Sequence, residues 1–291
     1  MAERTRARRA RPAASRTARE PRPPRGGDLL RRVLVAIPAI VFAIVIVGAG
    51  GWVFTLGVLV LGVICLHELF RMYEPLRPVK LAGFIGLAGL AAAAHAGGER
   101  QVLLALVAFV PVMFMLALAM PDLEGEAHTR TEGMAMTVLG IVWIGMAIAH
   151  AVLLRDLRHG DAIVIDVLVG TFIGDTGAYL GGRSLGTHPL APRISPNKTV
   201  EGLVIGVLAA VLATWCAGLY QDWLSGGQAL LLGLAVGLAA PVGDLFESRI
   251  KRDAGTKDAG SLFGPHGGAL DRLDAAFFTL VTGYYVWLAL M

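Results

Sequence analysis

Apolar residues do not alternate along this chain. They gather in nine continuous windows, at roughly 33–50, 52–70, 81–97, 102–120, 134–154, 162–181, 203–220, 227–247 and 269–290. Each window approaches the ~20 apolar residues that carry a helix across the hydrocarbon layer of a bilayer. Membrane strands would instead show short segments of strict alternation, so strands are not expected. The pattern predicts an all-α polytopic membrane protein with about nine transmembrane helices. It also predicts three regions. Residues 1–32 form a disordered basic cytosolic tail, 33–161 an N-terminal transmembrane region of five helices, and 162–291 a C-terminal region of four helices with two long polar loops.

Composition agrees with the pattern. Of 291 residues, 55% are hydrophobic and only 16% charged, and the mean hydropathy is +0.65. A soluble domain is nearer a quarter charged. Cys65 and Cys216 each sit inside an apolar window with no metal-ligand spacing around them, and are read as small core residues rather than a disulfide. The tail is rich in Arg, Ala and Pro and too poor in apolar residues to fold alone. The first apolar run is longer than a signal-peptide core and is followed by more spans, so it reads as a retained helix.

Charge orients the windows. With the tail inside and nine crossings, the segments 1–32, 71–80, 121–133, 182–202 and 248–268 face the cytosol and hold 22 of the 26 Lys and Arg. Basic residues mark the cytoplasmic side. The expected location is therefore the cell membrane, multi-pass, with the N-terminus and both long loops cytosolic. These loops read GGRSLGTHPLAPRISPNKTVEG (Gly181–Gly202) and ESRIKRDAGTKDAGSLFGPHGG (Glu247–Gly268). Both mix glycine, which lets backbone approach a ligand, with cations that meet phosphate oxygens. No GxxxxGK[ST] phosphate loop occurs.

Four acids lie in apolar windows beside these loops. Asp175 is in GTFIGDTGAYLGG, Asp244 in PVGDLFES, and Asp271 and Asp274 open the last window three residues apart, on one helix face. Ionised groups at membrane depth are expensive. Four at one depth suit a hard divalent cation such as Mg²⁺, which is often held by one or two carboxylates plus substrate phosphates. Such a site at the inner surface points to chemistry on a lipid head group with a cytosolic nucleotide. His67 and Glu68 read as an interfacial polar pair, with a share in a lipid pocket as the alternative. Asp166, near the outer end of its window, is left out of the site.

The residues Ser248, Lys251, Arg252, Lys257, Asp258, Gly260, His266, Gly267, Gly268, Asp271, Arg272 and Asp274 resemble, at matching spacing, the signature of the phosphatidate cytidylyltransferases, or CDP-diacylglycerol synthases. So do Asp175, Ala178, Tyr179, Gly182, Arg183, Ser195, Pro196, Lys198, Thr199, Glu201 and Gly202, with Asp244 between the two sets. The specific matches cover about 162–274. Three positions depart: Phe263-Gly264-Pro265 stands where Leu-Pro-Gly is commoner, Ala269 where a larger aliphatic is usual, and Thr187 where a lysine is common.

The resemblance implies transfer of CMP from CTP to phosphatidate, with release of pyrophosphate. It implies Mg²⁺ on Asp244 and Asp271, in a site with room for a second cation, and Asp274 and Asp175 orienting basic residues. Lys198, Lys251, Arg252 and Lys257 would neutralise phosphates. Ser195, Ser248 and the Gly267-Gly268 backbone would donate hydrogen bonds, and His266 would be a phosphate contact. Arg183, Thr199, Asp258 and Arg272 complete the substrate-binding set. The implied partners are CTP, phosphatidate, the lipid bilayer and a second copy in a homodimer, with no nucleic acid. A transporter would hold its acids near mid-membrane, and a CDP-alcohol phosphotransferase would carry a DGxxAR run that is absent here.

Overall fold

The computed structural model describes residues 26–121, 128–260 and 267–291, with side chains from Ile37 onward. Nine helices run through the described residues: α1 (Gly26–Ala49), α2 (Gly51–Met72), α3 (Lys80–Gly97), α4 (Glu99–Leu118), α5 (Arg130–Asp156), α6 (Gly160–Leu185), α7 (Val200–Gly218), α8 (Gly226–Asp253) and α9 (Leu270–Leu290). The helices α2 to α9 are long and apolar enough to cross a membrane, and α1 contributes a shorter apolar stretch, Ile37–Ala49. Each predicted window falls on its own helix.

Polar residues set several helix starts. Thr129 and Ser225 accept from the N3 amides of Glu132 and Gln228, whose side chains bond back to the cap, and Thr199 accepts from Gly202 N. Such caps satisfy amides that the helix itself leaves without partners.

The structure departs from the sequence reading in four places. Helix α1 starts at Gly26, so its backbone takes in the end of the segment assigned to the tail, whose residues 1–25 lie outside the described residues. Strands β1 (Pro189–Ala191) and β2 (Ser195–Thr199) pair antiparallel in the first polar loop. Helix α8 continues to Asp253, so Ser248, Lys251 and Arg252 stand on a helix rather than in a loop. Arg249 pairs with Asp253, and Glu247 with Lys251, each at i,i+4; these pairs support helix in a run that reads as polar loop. Cys216, finally, is exposed, not buried like Cys65.

The core centres on α5, whose most apolar window is 78% buried, against 22% for α4 and for α7. Leu103, Leu104 and Val107 on α4, and Val204, Leu208 and Leu212 on α7, are exposed, at helical spacing that suits a lipid-facing stripe. Helix α5 contains a π-helical turn, Ile141–Gly145. From it Trp143 packs edge-on against Phe246 of α8, at 4.8 Å between ring centroids, and against Phe277 of α9, at 6.3 Å. Helices α6 and α7 approach through small residues: Gly174 faces Gly206 and Ala210, and Gly177 faces Ala209. Removing side chains from such a seam lets helix backbones approach closely, which is how helices gain packing energy in lipid.

Candidate active site

Helices α8 and α9 pack along one another, and their polar ends carry the acids. On α8, Asp244, Glu247 and Lys251 are spaced i, i+3, i+7 and so share one face. On α9, Asp271 and Asp274 do the same. Strand β2 brings Lys198 to within 2.5 Å of an Asp244 carboxylate oxygen. The Asp274 carboxyl meets that of Asp244, and Asp175 on α6 lies within electrostatic range of both Asp244 and Lys198. The Lys251 ammonium bridges Glu247, at 2.5 Å, and Asp271, at 2.7 Å. The result is a row of five carboxylates with two ammonium groups set among them. Like charges this close repel strongly in a poorly solvated setting, and the lysines offset that repulsion.

The row is partly shielded from solvent. Glu247 is 2% exposed and Asp274 6%, whereas the Asp244 and Lys198 side chains keep about a third of their surface open, at 32% and 28%. The Asp244–Lys198 end is the more open, although the Lys198 ammonium nitrogen itself is buried against Asp244. The rings of Phe246, Trp143 and Phe277 pack edge to face beside the buried end, and the indole N–H of Trp143 is buried there without a hydrogen-bond partner.

Asp271 organises the turn into α9. It accepts from Gly268 N at 2.7 Å and from Ala259 N at 3.0 Å, besides holding Lys251. Gly267 makes the turn at a φ of 84°, a left-handed conformation that glycine adopts without strain. The amide of Gly268 is thus spent on Asp271 rather than offered to a ligand.

Of the predicted residues, Asp175, Lys198, Asp244, Lys251, Asp271 and Asp274 come together. Thr199 spends its hydroxyl on the cap of α7. Arg252 reaches Ile194 O and Thr256 O, both at 3.4 Å, which ties α8 to the hairpin. Arg183 is exposed and bonded to Tyr179, while Lys257, Asp258 and Arg272 are exposed. Ser195 and Ser248 are half-buried, and His266 lies outside the described residues. At the departing position Thr187, backbone and hydroxyl both bond Glu201, which also holds His188.

Glu247 is an acid of the site that the sequence hides, because its helix reads as ending there; with α8 continuing to Asp253, the i+3 spacing from Asp244 gives it away. Glu68 separates from His67, which is exposed, and is itself only 6% exposed. Its carboxylate accepts from Leu270 N at 2.9 Å, at the first turn of α9. The excluded Asp166 is indeed elsewhere, buried and bonded through both oxygens to Gln221 at 3.0 Å.

Comparison with known proteins gives the family. Residues 30–290 match the model of the "Cytidylyltransferase family". The chain belongs to the cytidylyltransferase family. It is 33% identical over 269 residues to the phosphatidate cytidylyltransferase of Bacillus subtilis, covering 89% of this chain and 97% of that one. It is 29% identical over 262 residues to the phosphatidate cytidylyltransferase of Staphylococcus epidermidis, covering 86% and 95%. The protein YnbB of Escherichia coli is 36% identical over 190 residues, 61% of each chain.

The donors of this cytidylyltransferase suit a hard cation. All are carboxylate oxygens, Asp244 and Asp271 each already hold a positive charge, and Glu247 Oε1 is buried without a hydrogen-bond partner. Among the described residues no three His, Cys, Asp or Glu side chains close on a single point. A Mg²⁺ ion that takes one or two carboxylates, and fills its remaining positions with water and phosphate oxygens, needs no such cage.

Proposed function

We propose that this chain transfers CMP from CTP to phosphatidate, giving CDP-diacylglycerol and pyrophosphate. The observation that carries the reading is the carboxylate–lysine row, built from the same segments that bear the family signature and set at the polar ends of membrane helices. A phosphate oxygen of phosphatidate attacks the α-phosphorus of CTP. The new P–O bond forms as the bond between the α-phosphorus and its bridging oxygen breaks, and pyrophosphate leaves with that electron pair. A phosphate monoester is largely doubly ionised near pH 7, so no general base is needed. Positioning and charge neutralisation carry such reactions.

Asp244 and Asp271 would hold Mg²⁺, alone or with a second cation, which when bound supplies positive charge to the triphosphate and the departing pyrophosphate. Lys198, the more open of the two lysines, turns from Asp244 to a phosphate oxygen. Lys251 keeps Glu247 and Asp271 in register. Asp175 and Asp274 hold Asp244 and Lys198 in place, and Arg183, Arg252, Lys257 and Arg272, each exposed, are the further cations offered to the phosphates. The site faces the cytosol, a side supported by the basic bias of the loops around it and by the location of CTP. The proposal includes a homodimer, supported only by the family resemblance.

The deciding experiment incubates detergent-solubilised protein with α-labelled CTP and phosphatidate. Label should move into a chloroform-soluble CDP-lipid with one pyrophosphate released per product. Failure to form that lipid would leave the family intact and remove this substrate pair.

A further inference from the structure

The end of α2 touches the catalytic segments at two points. Glu68 bonds Leu270 N, and its carboxylate lies so close to Gly260 and Gly268 that a Cβ at either glycine would collide with it. Just after the helix, the Tyr73 hydroxyl donates to Ile250 O on the last turns of α8, at 2.8 Å. Burial of that phenol raises its pKa above the ordinary tyrosine value. One short stretch of the N-terminal region therefore grips the end of α8 and the start of α9, the two helices that supply Asp244, Glu247, Lys251, Asp271 and Asp274.

We propose that Glu68 is a positioning residue for the transfer reaction: its carboxylate seats the turn before α9 so that Asp271 meets Lys251. The chemistry favours this over an idle buried acid. A buried carboxylate without strong partners is costly, and a helix start offers amides that need acceptors. Glu68 takes the amide of Leu270, while Asp271 takes those of Gly268 and Ala259. The two acids thus divide the amides of Gly268 and Leu270 at the turn into α9, Glu68 anchoring it from α2 and Asp271 facing the site and holding Ala259 N on the other limb of the loop. Glycine at 260 and 268 is what leaves room for the Glu68 carboxylate between both limbs of the loop.

Because Glu68 acts as a hydrogen-bond acceptor at a set reach, side-chain length should matter more than charge. Glu68→Gln keeps the reach and an acceptor oxygen; Glu68→Asp keeps the charge and withdraws it by one methylene; Glu68→Leu removes the acceptor. In reconstituted protein, turnover of Glu68→Gln should stay within about threefold of wild type. Glu68→Asp and Glu68→Leu should lose about tenfold or more in kcat, with KM for CTP little changed. Hydrogen exchange of the amides at Gly268 and Leu270, read by mass spectrometry, should speed up in the Asp and Leu variants and not in Gln. Should the Leu variant fail to fold, the Gln–Asp pair still decides.

An Asp variant more active than Gln, or equal loss in Gln and Leu, would overturn the proposal. So would unchanged exchange at these amides in all three variants. The kinetic arm rests on the proposed transfer reaction, whereas the exchange arm needs no substrate. If wild type made no CDP-lipid, exchange alone would still judge the role of Glu68.

Discussion

At the scale of single residues, the two lysines of the row have different work. Lys251 is enclosed by two acids, with a side chain 14% exposed, whereas Lys198 meets Asp244 where the site opens. Lys198→Ala should lower kcat/KM by about one to two orders of magnitude, the worth of one charge-assisted contact of roughly 1.5–3 kcal/mol. The melting temperature should move by no more than a few degrees. Asp244→Asn keeps the shape but strands Lys198 and removes a carboxylate from the row, and its loss in turnover should exceed that of Lys198→Ala. Lys257, exposed in the loop after α8, should cost less than either when changed to Ala. Steady-state kinetics on the three variants checks that order, and equal activity in all three would take these groups out of the reaction. Asp244 and Asp271 were legible in the sequence because their charge is anomalous in apolar surroundings, and Lys198 because it stands in a basic, glycine-containing loop that carries the family signature. Glu68 stood out in the same way, but its partner did not, because that is a backbone amide about 200 positions away and nothing local announces such a bond.

At the scale of elements, the seam between α6 and α7 sets where Asp175 and Lys198 stand. A Cβ at Gly206 would run into Ala178 and the Gly174 carbonyl. Gly206→Leu should therefore splay the pair, lowering stability by about 1–3 kcal/mol as overpacking does and lowering activity with it. Gly89 on α3 has open space around it, and Gly89→Ala should leave the melting temperature unchanged or slightly raised. Thermal unfolding in detergent, followed by tryptophan fluorescence, compares the two. The helices themselves were readable from continuous apolar windows. The far end of α8 was not, because its seven residues from Glu247 to Asp253 carry six polar or charged side chains and look like loop. Their helix is held by i,i+4 ion pairs and by packing, which hydropathy does not register.

At the scale of the whole molecule, the proposed orientation rests on the basic loops. In a chain whose own cysteines are replaced, cysteines placed at Thr187 and Asp258, both exposed, should label with a membrane-impermeant reagent only after cells are opened. One at Gly226, on the opposite side, should label in intact cells. The reverse pattern would reject both the topology and a cytosolic CTP site. The molecule is also phased around α5, its most enclosed helix. The π-turn at Ile141–Gly145 accommodates one residue more than a regular turn. Every later position of α5 is therefore rotated by about 100° from where an uninterrupted α-helix would put it. Residues 147–154 are all buried, so what the extra residue sets is which neighbour each side chain meets, as where His150 meets Tyr285. Deleting a single residue here would leave hydropathy and helix count almost untouched. It would turn His150 away from the Tyr285 hydroxyl that it meets at 3.0 Å and set every later side chain against the wrong neighbour, so that the frame of the helix, like the frame of a coding sequence, decides what the rest of it means.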